Sequence, residues 1–111
     1  MDHIEAKILK IIDDHADELQ ALAQDLFEHP EQGYYEYRTA QVVSDYLKKL
    51  GLETQEGLAI TGVKAKIGKD SGPNIALIGE LDAVGCASHP NASEKGFAHA
   101  CGHYAQLTCM L

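Results

Sequence analysis

A layered α/β fold, with helices packed on a sheet, is predicted by three features of the sequence. These are two helical hydrophobic stripes, one alternating segment, and one short run that is apolar throughout. Ile4, Ile8, Ile11, Ile12, Leu19, Leu22 and Leu26 recur at three- and four-residue steps. That period predicts one long first helix, closed by Pro30. Ala40, Val43, Leu47 and Leu50 predict a second helix, with Lys48 and Lys49 in its last turn and Gly51 placed for the left-handed position after it. Val63, Ala65 and Ile67 alternate with Lys64 and Lys66, the pattern of a strand with one wet face. Asp70-Ser71-Gly72-Pro73 reads as a turn. Asn74 to Gly79 is short and continuously apolar, which predicts a strand covered on both faces inside the sheet. Gly85 to Gly96 reads as loop, and Ala105 to Leu111 as the opening of a third helix with no terminating signal. The last observation leads us to expect that the chain, residues 1–111, is the N-terminal portion of a larger, truncated domain.

Composition excludes several classes of function. The 111 residues are 45% apolar and 23% charged, as in an ordinary globular domain. No stretch reaches the ~20 apolar residues of a membrane span, and the acidic, amphipathic start is unlike a signal peptide. A net charge of −8 opposes binding to nucleic acid or to an anionic membrane, both of which need basic faces. Three cysteines are too few for a disulfide scaffold, so a reducing, cytoplasmic setting is expected, and Asn91-Ala92-Ser93 is then a chance match to a glycosylation sequon. A small-molecule substrate remains as the expected partner. Self-association through the apolar C-terminal end is the alternative.

Two short stretches carry chemistry. Cys101 and His103 in His99-Ala100-Cys101-Gly102-His103 combine a thiol and an imidazole, the donors preferred by zinc and similar ions. Their one-residue spacing is not that of a zinc finger, and a buried cysteine among structural histidines is the bland alternative. Glu80-Leu81-Asp82 follows the apolar run, where ligands bind in open α/β sheets. At positions i and i+2 of an extended chain, both carboxylates face one side. A pair of solvated acids at a strand end is the competing reading.

These stretches, taken with "LFEHPEQGYYEYRTAQVVSDYLKKLG" upstream, resemble the zinc-dependent amidohydrolases and exopeptidases. That family includes aminoacylases, hippurate hydrolase, auxin-conjugate hydrolases and p-aminobenzoyl-glutamate hydrolase. The resemblance runs from about Ile8 to Leu111, with three motifs in register. It implies the N-terminal part of a zinc-exopeptidase-like catalytic domain. It also implies two ions per complete site, zinc or else manganese or cobalt.

Carried over by position, the resemblance makes Cys101 and His103 metal ligands. Asp82 becomes the acid of the catalytic machinery that orients a ligand. Glu80 and His99 are expected to support the site, and Glu31 to cap a helix or anchor a loop. Glu80 stands where aspartate is more usual, and Gly85 where proline is common; both fit the p-aminobenzoyl-glutamate and dipeptide branch better. Tyr104 replaces the usual Asp or Asn and bears on substrate class. The implied reaction is metal-assisted hydrolysis of an amide in N-acyl amino acids, aminobenzoyl-glutamate-like compounds or dipeptides. The family's general-base glutamate and later ligands have no counterpart in these 111 residues, so the isolated chain is expected to be inactive. A stand-alone binding or self-assembling module without catalysis is the alternative.

Overall fold

The computed structural model describes Met1–Leu111. It is a mixed α/β molecule of four helices and two small antiparallel sheets. The helices are α1 (His3–Asp14), α2 (Ala16–Glu28), α3 (Tyr37–Lys49) and α4 (His103–Met110). The strands β1 (Thr54–Leu58) and β2 (Gly62–Ala65) form one pair, and β3 (Val84–Gly85) and β4 (Phe97–Ala98) form the other.

The single long first helix is corrected to two, with the break at His15. A capping box starts α1: Ile4 and Glu5 donate their N–H groups to Asp2 at 2.7 and 2.9 Å, and Asp2 N–H donates back to Glu5 at 2.9 Å. Asp13 and Asp14 then crowd the negative end of α1, while Asp17 and Glu18 sit in the first turn of α2. Acids are unfavourable at a helix C-terminus and favourable at an N-terminus, so the charge pattern places a helix boundary between them. Ile4, Ile8, Leu9, Ile11 and Ile12 of α1 remain exposed.

Helix α3 borrows its cap. Glu36, at its start, makes no capping bond with its own side chain. The Glu31 carboxylate instead accepts from the N–H groups of Arg38 (3.0 Å) and Thr39 (2.6 Å) and from the Thr39 hydroxyl (2.6 Å). The expected helix-capping role of Glu31 is therefore observed. At the other end Gly51 takes φ +83°, as a glycine after a helix does.

Leu26 of α2, Val43 of α3 and Leu107 of α4 form the buried apolar cluster. Helix α3 also lies on the β1–β2 hairpin, where Ser44 hydrogen-bonds the Thr54 hydroxyl at 3.1 Å and the Glu56 carboxylate. In that hairpin Thr54 pairs with Ala65 and Leu58 with Gly62. The strand ends at Ala65, so Ile67 lies beyond it and is exposed.

The predicted buried strand Asn74–Gly79 is also corrected. No strand pairs with it, and Ile75 and Ile78 are 93% and 84% exposed. The layered sheet shared with Val63–Ile67 is consequently absent. A continuous apolar run reports a need for cover on two faces, but a sheet interior also requires neighbours on two edges, and none of the other strands lies there. The radius of gyration, 15.6 Å, exceeds the ~13 Å of a close-packed chain this long, in keeping with the uncovered α1 face and apolar run.

Candidate metal centre

The segment that follows Gly79 is fixed from two sides. A Cβ on Gly79 would stand 3.0 Å from Leu107 Cδ2 and 3.2 Å from Met110 Sδ, so α4 packs directly on the bare backbone there. Glu80 N–H donates to Gln106 Oε1 at 2.7 Å. Three residues on, Ala83 N–H donates to the Glu31 carbonyl at 2.7 Å, and Ala83 bridges to Gln32. Glu80 and Asp82 are thus held between α4 and the loop before α3.

His103 meets both acids from the first position of α4. The chain enters that helix through Gly102 at φ +78°, a left-handed conformation that glycine adopts without strain. His103 Nδ1 lies 2.8 Å from the Asp82 carbonyl oxygen and 3.0 Å from Asp82 Oδ1. Both are acceptors, so Nδ1 carries the hydrogen and Nε2 faces outward. Nε2 is 3.1 Å from Glu80 Oε2. A ring nitrogen and a carboxylate oxygen thus face each other at close range.

One donor atom each from Glu80, Asp82 and His103 falls within 4.8 Å of the others. An imidazole with its tautomer fixed by a carboxylate, beside a second carboxylate, is a donor set suited to a divalent ion. The structure brings together Glu80, Asp82 and His103. Cys101 is exposed, stands outside this group, and lies two residues before His103.

His99 is only 5% exposed, and neither ring nitrogen has a hydrogen-bond partner. Burial pushes its pKa below the ordinary 6.5, helped by His103 and opposed by Asp82. The folded state therefore keeps His99 neutral, and unfolding below 6.5 takes up a proton. This contribution to stability is complete above pH 6.5 and declines as the pH falls through that value. Urea midpoints measured on either side of pH 6.5 should fall with acid, with a shallower fall in His99→Phe. An equal fall in both proteins would assign the acid sensitivity elsewhere.

Tyr104, the second residue of α4, is half-buried. Its ring lies 5.0 Å from that of Phe27 and 5.6 Å from that of His99, and it packs on the core cluster. Glu31 is the member of the arrangement whose reach the sequence did not reveal, because its carbonyl and its carboxylate serve different segments.

Thermostable carboxypeptidase 2 of Saccharolobus solfataricus is 32% identical over the whole chain, which covers 30% of that protein. Thermostable carboxypeptidase 1 of the same organism is 32% identical over 78% of the chain and 23% of its own length. IAA-amino acid hydrolase ILR1-like 5 of Arabidopsis thaliana is 32% identical over 89% of the chain and 24% of its own length. No family model matches the chain, and no solved structure matches it. The chain spans less than a third of each of these relatives. Their names support a relationship to peptidases and amidohydrolases. No helix is long and apolar enough to cross a membrane.

Proposed function

We propose that this chain supplies part of the metal-binding half of a hydrolase that cleaves an amide bond in N-acyl amino acids or dipeptide-like substrates. The observation that carries the reading is the 3.1 Å contact between His103 Nε2 and Glu80 Oε2, with Asp82 fixing the ring from behind. Three relatives named as carboxypeptidases or an amino acid hydrolase support the same reaction class.

His103 and Glu80 would hold a zinc, manganese or cobalt ion, with Cys101 as the further ligand that the family resemblance implies. Such an ion supplies Lewis-acid activation of water and of the amide carbonyl. Asp82 has a different task. By accepting the Nδ1 hydrogen it fixes the tautomer, turns Nε2 toward Glu80 and raises the basicity of the ring as a donor. Gly79 and the Glu31 carbonyl keep the two acids in place, so the donors need little rearrangement.

A general base is needed to take the proton from water, and both carboxylates near His103 are already committed to the ring. The isolated chain is therefore expected to bind the ion without turning over substrate. The test is hydrolysis of N-acetyl amino acids and dipeptides by the 111-residue chain and by a longer protein carrying it, each with and without zinc. Metal-dependent turnover by the longer protein alone is expected. Turnover that is indifferent to chelator in either protein would contradict the reading.

A further inference from the structure

We propose that Glu36 is a positioning residue for the metal centre: held by Thr61, it fixes the loop that sets Gly33 against Asp82, and so couples the β1–β2 hairpin to the donors around His103. The inference rests on the metal-binding reading above. A Cβ placed on Gly33 would stand 3.9 Å from Asp82 Cβ and 3.9 Å from Glu36 Oε1. One point beside the Gly33 backbone is thus within reach of both acids.

Folding alone does not call for a carboxyl group at Glu36. It is 7% exposed, makes no capping bond with its side chain, and enters none of the chain's ion pairs. Its side chain has one hydrogen bond, accepted from the Thr61 hydroxyl at 2.7 Å, and Thr61 is equally buried. Burying a carboxyl group with one donor and no cation beside it costs stability. The hairpin is strained where it delivers that donor. Ala59 and Ile60, directly before Thr61, sit at φ +46° and +87°, and a β-branched residue is seldom found there. Ser44 of α3 secures the hairpin through Thr54 and Glu56, so Thr61 is a firm anchor. From Glu36 the loop runs back to the site. Tyr35 N–H closes a turn onto the Gln32 carbonyl at 2.9 Å, Gln32 bridges to Ala83, and the Glu31 carbonyl accepts from Ala83 N–H. Tied at both ends, the Gly33 backbone limits where Asp82 can stand, and Asp82 in turn sets the tautomer and direction of His103.

Calorimetric zinc titrations of the 111-residue chain and its variants, each confirmed folded by circular dichroism, test this. Replacing both partners of a buried hydrogen bond by apolar groups of similar size is close to neutral, so Glu36→Leu combined with Thr61→Val should keep or raise the urea midpoint. The same double variant should bind zinc about three- to tenfold more weakly, below the ~10–100-fold of a residue that touches the ligand, and should shift the d–d bands of bound cobalt. Thr61→Ser keeps the hydroxyl and should bind zinc as the unaltered chain does. Coupling is reciprocal, so zinc should slow hydrogen exchange at the β2 amides of the unaltered chain by the factor that the double variant loses in affinity. A pair that served only the fold would leave zinc affinity, the cobalt bands and that exchange unchanged. This result, with binding still lost in His103→Ala, would overturn the inference and leave the metal reading standing. If zinc affinity is indifferent to His103→Ala as well, the metal reading itself fails.

Discussion

Leu107→Ala is expected to destabilise the chain by about 2–5 kcal/mol, the cost of deleting a fully buried leucine. Leu107 is 1% exposed and is one of three residues in the buried apolar cluster, so little else can close over the cavity. Natural domains are stable by only ~5–15 kcal/mol, so the loss is a large fraction of the whole. The same side chain lies against Gly79 and belongs to the helix that presents His103. Its removal should therefore weaken zinc binding together with the fold. Urea denaturation followed by circular dichroism measures the first effect and calorimetric zinc titration the second. A loss below about 1 kcal/mol would show that α4 is not held by this contact.

His103→Ala should lower zinc affinity by more than about a hundredfold. Replacing a residue that only orients a ligand typically costs ~10–100-fold, and in the proposed reading His103 is the ligand itself. Asp82→Asn should fall within that smaller range, because an amide oxygen can still accept from Nδ1–H but no longer contributes charge. The ordering His103→Ala, then Asp82→Asn, distinguishes the assigned roles. Equal small losses would mean that zinc binds elsewhere.

Much of this arrangement was legible in the sequence, and the failures have physical causes. The two-residue spacing of Glu80 and Asp82 indicated a shared side, and the structure brings both to His103. Lys48, Lys49 and Gly51 marked the end of α3, which stops at Lys49. The break at His15 was carried by charge, in the acids either side of it, whereas the hydrophobic period runs through it unchanged. Ile75 to Ile78 was misread because apolar character states what a segment needs and not whether a neighbour exists to meet that need. Strand β1 was missed because Thr54-Gln55-Glu56-Gly57-Leu58 has almost no apolar alternation; its pairing comes from the hairpin turn and from α3. The hydrogen bonds from Ala83 and Thr39 to opposite ends of Glu31 join residues far apart in sequence, which no local pattern encodes.

The visible and near-ultraviolet spectrum of the chain with cobalt in place of zinc tests the metal centre most directly. Cobalt reports both coordination geometry and the presence of a thiolate ligand. The prediction is an intense d–d spectrum that is lost in His103→Ala and weakened in Glu80→Gln, with a sulfur-to-cobalt charge-transfer band that disappears in Cys101→Ala. A spectrum like that of hydrated cobalt, unchanged by all three substitutions, would contradict a metal site built on these residues.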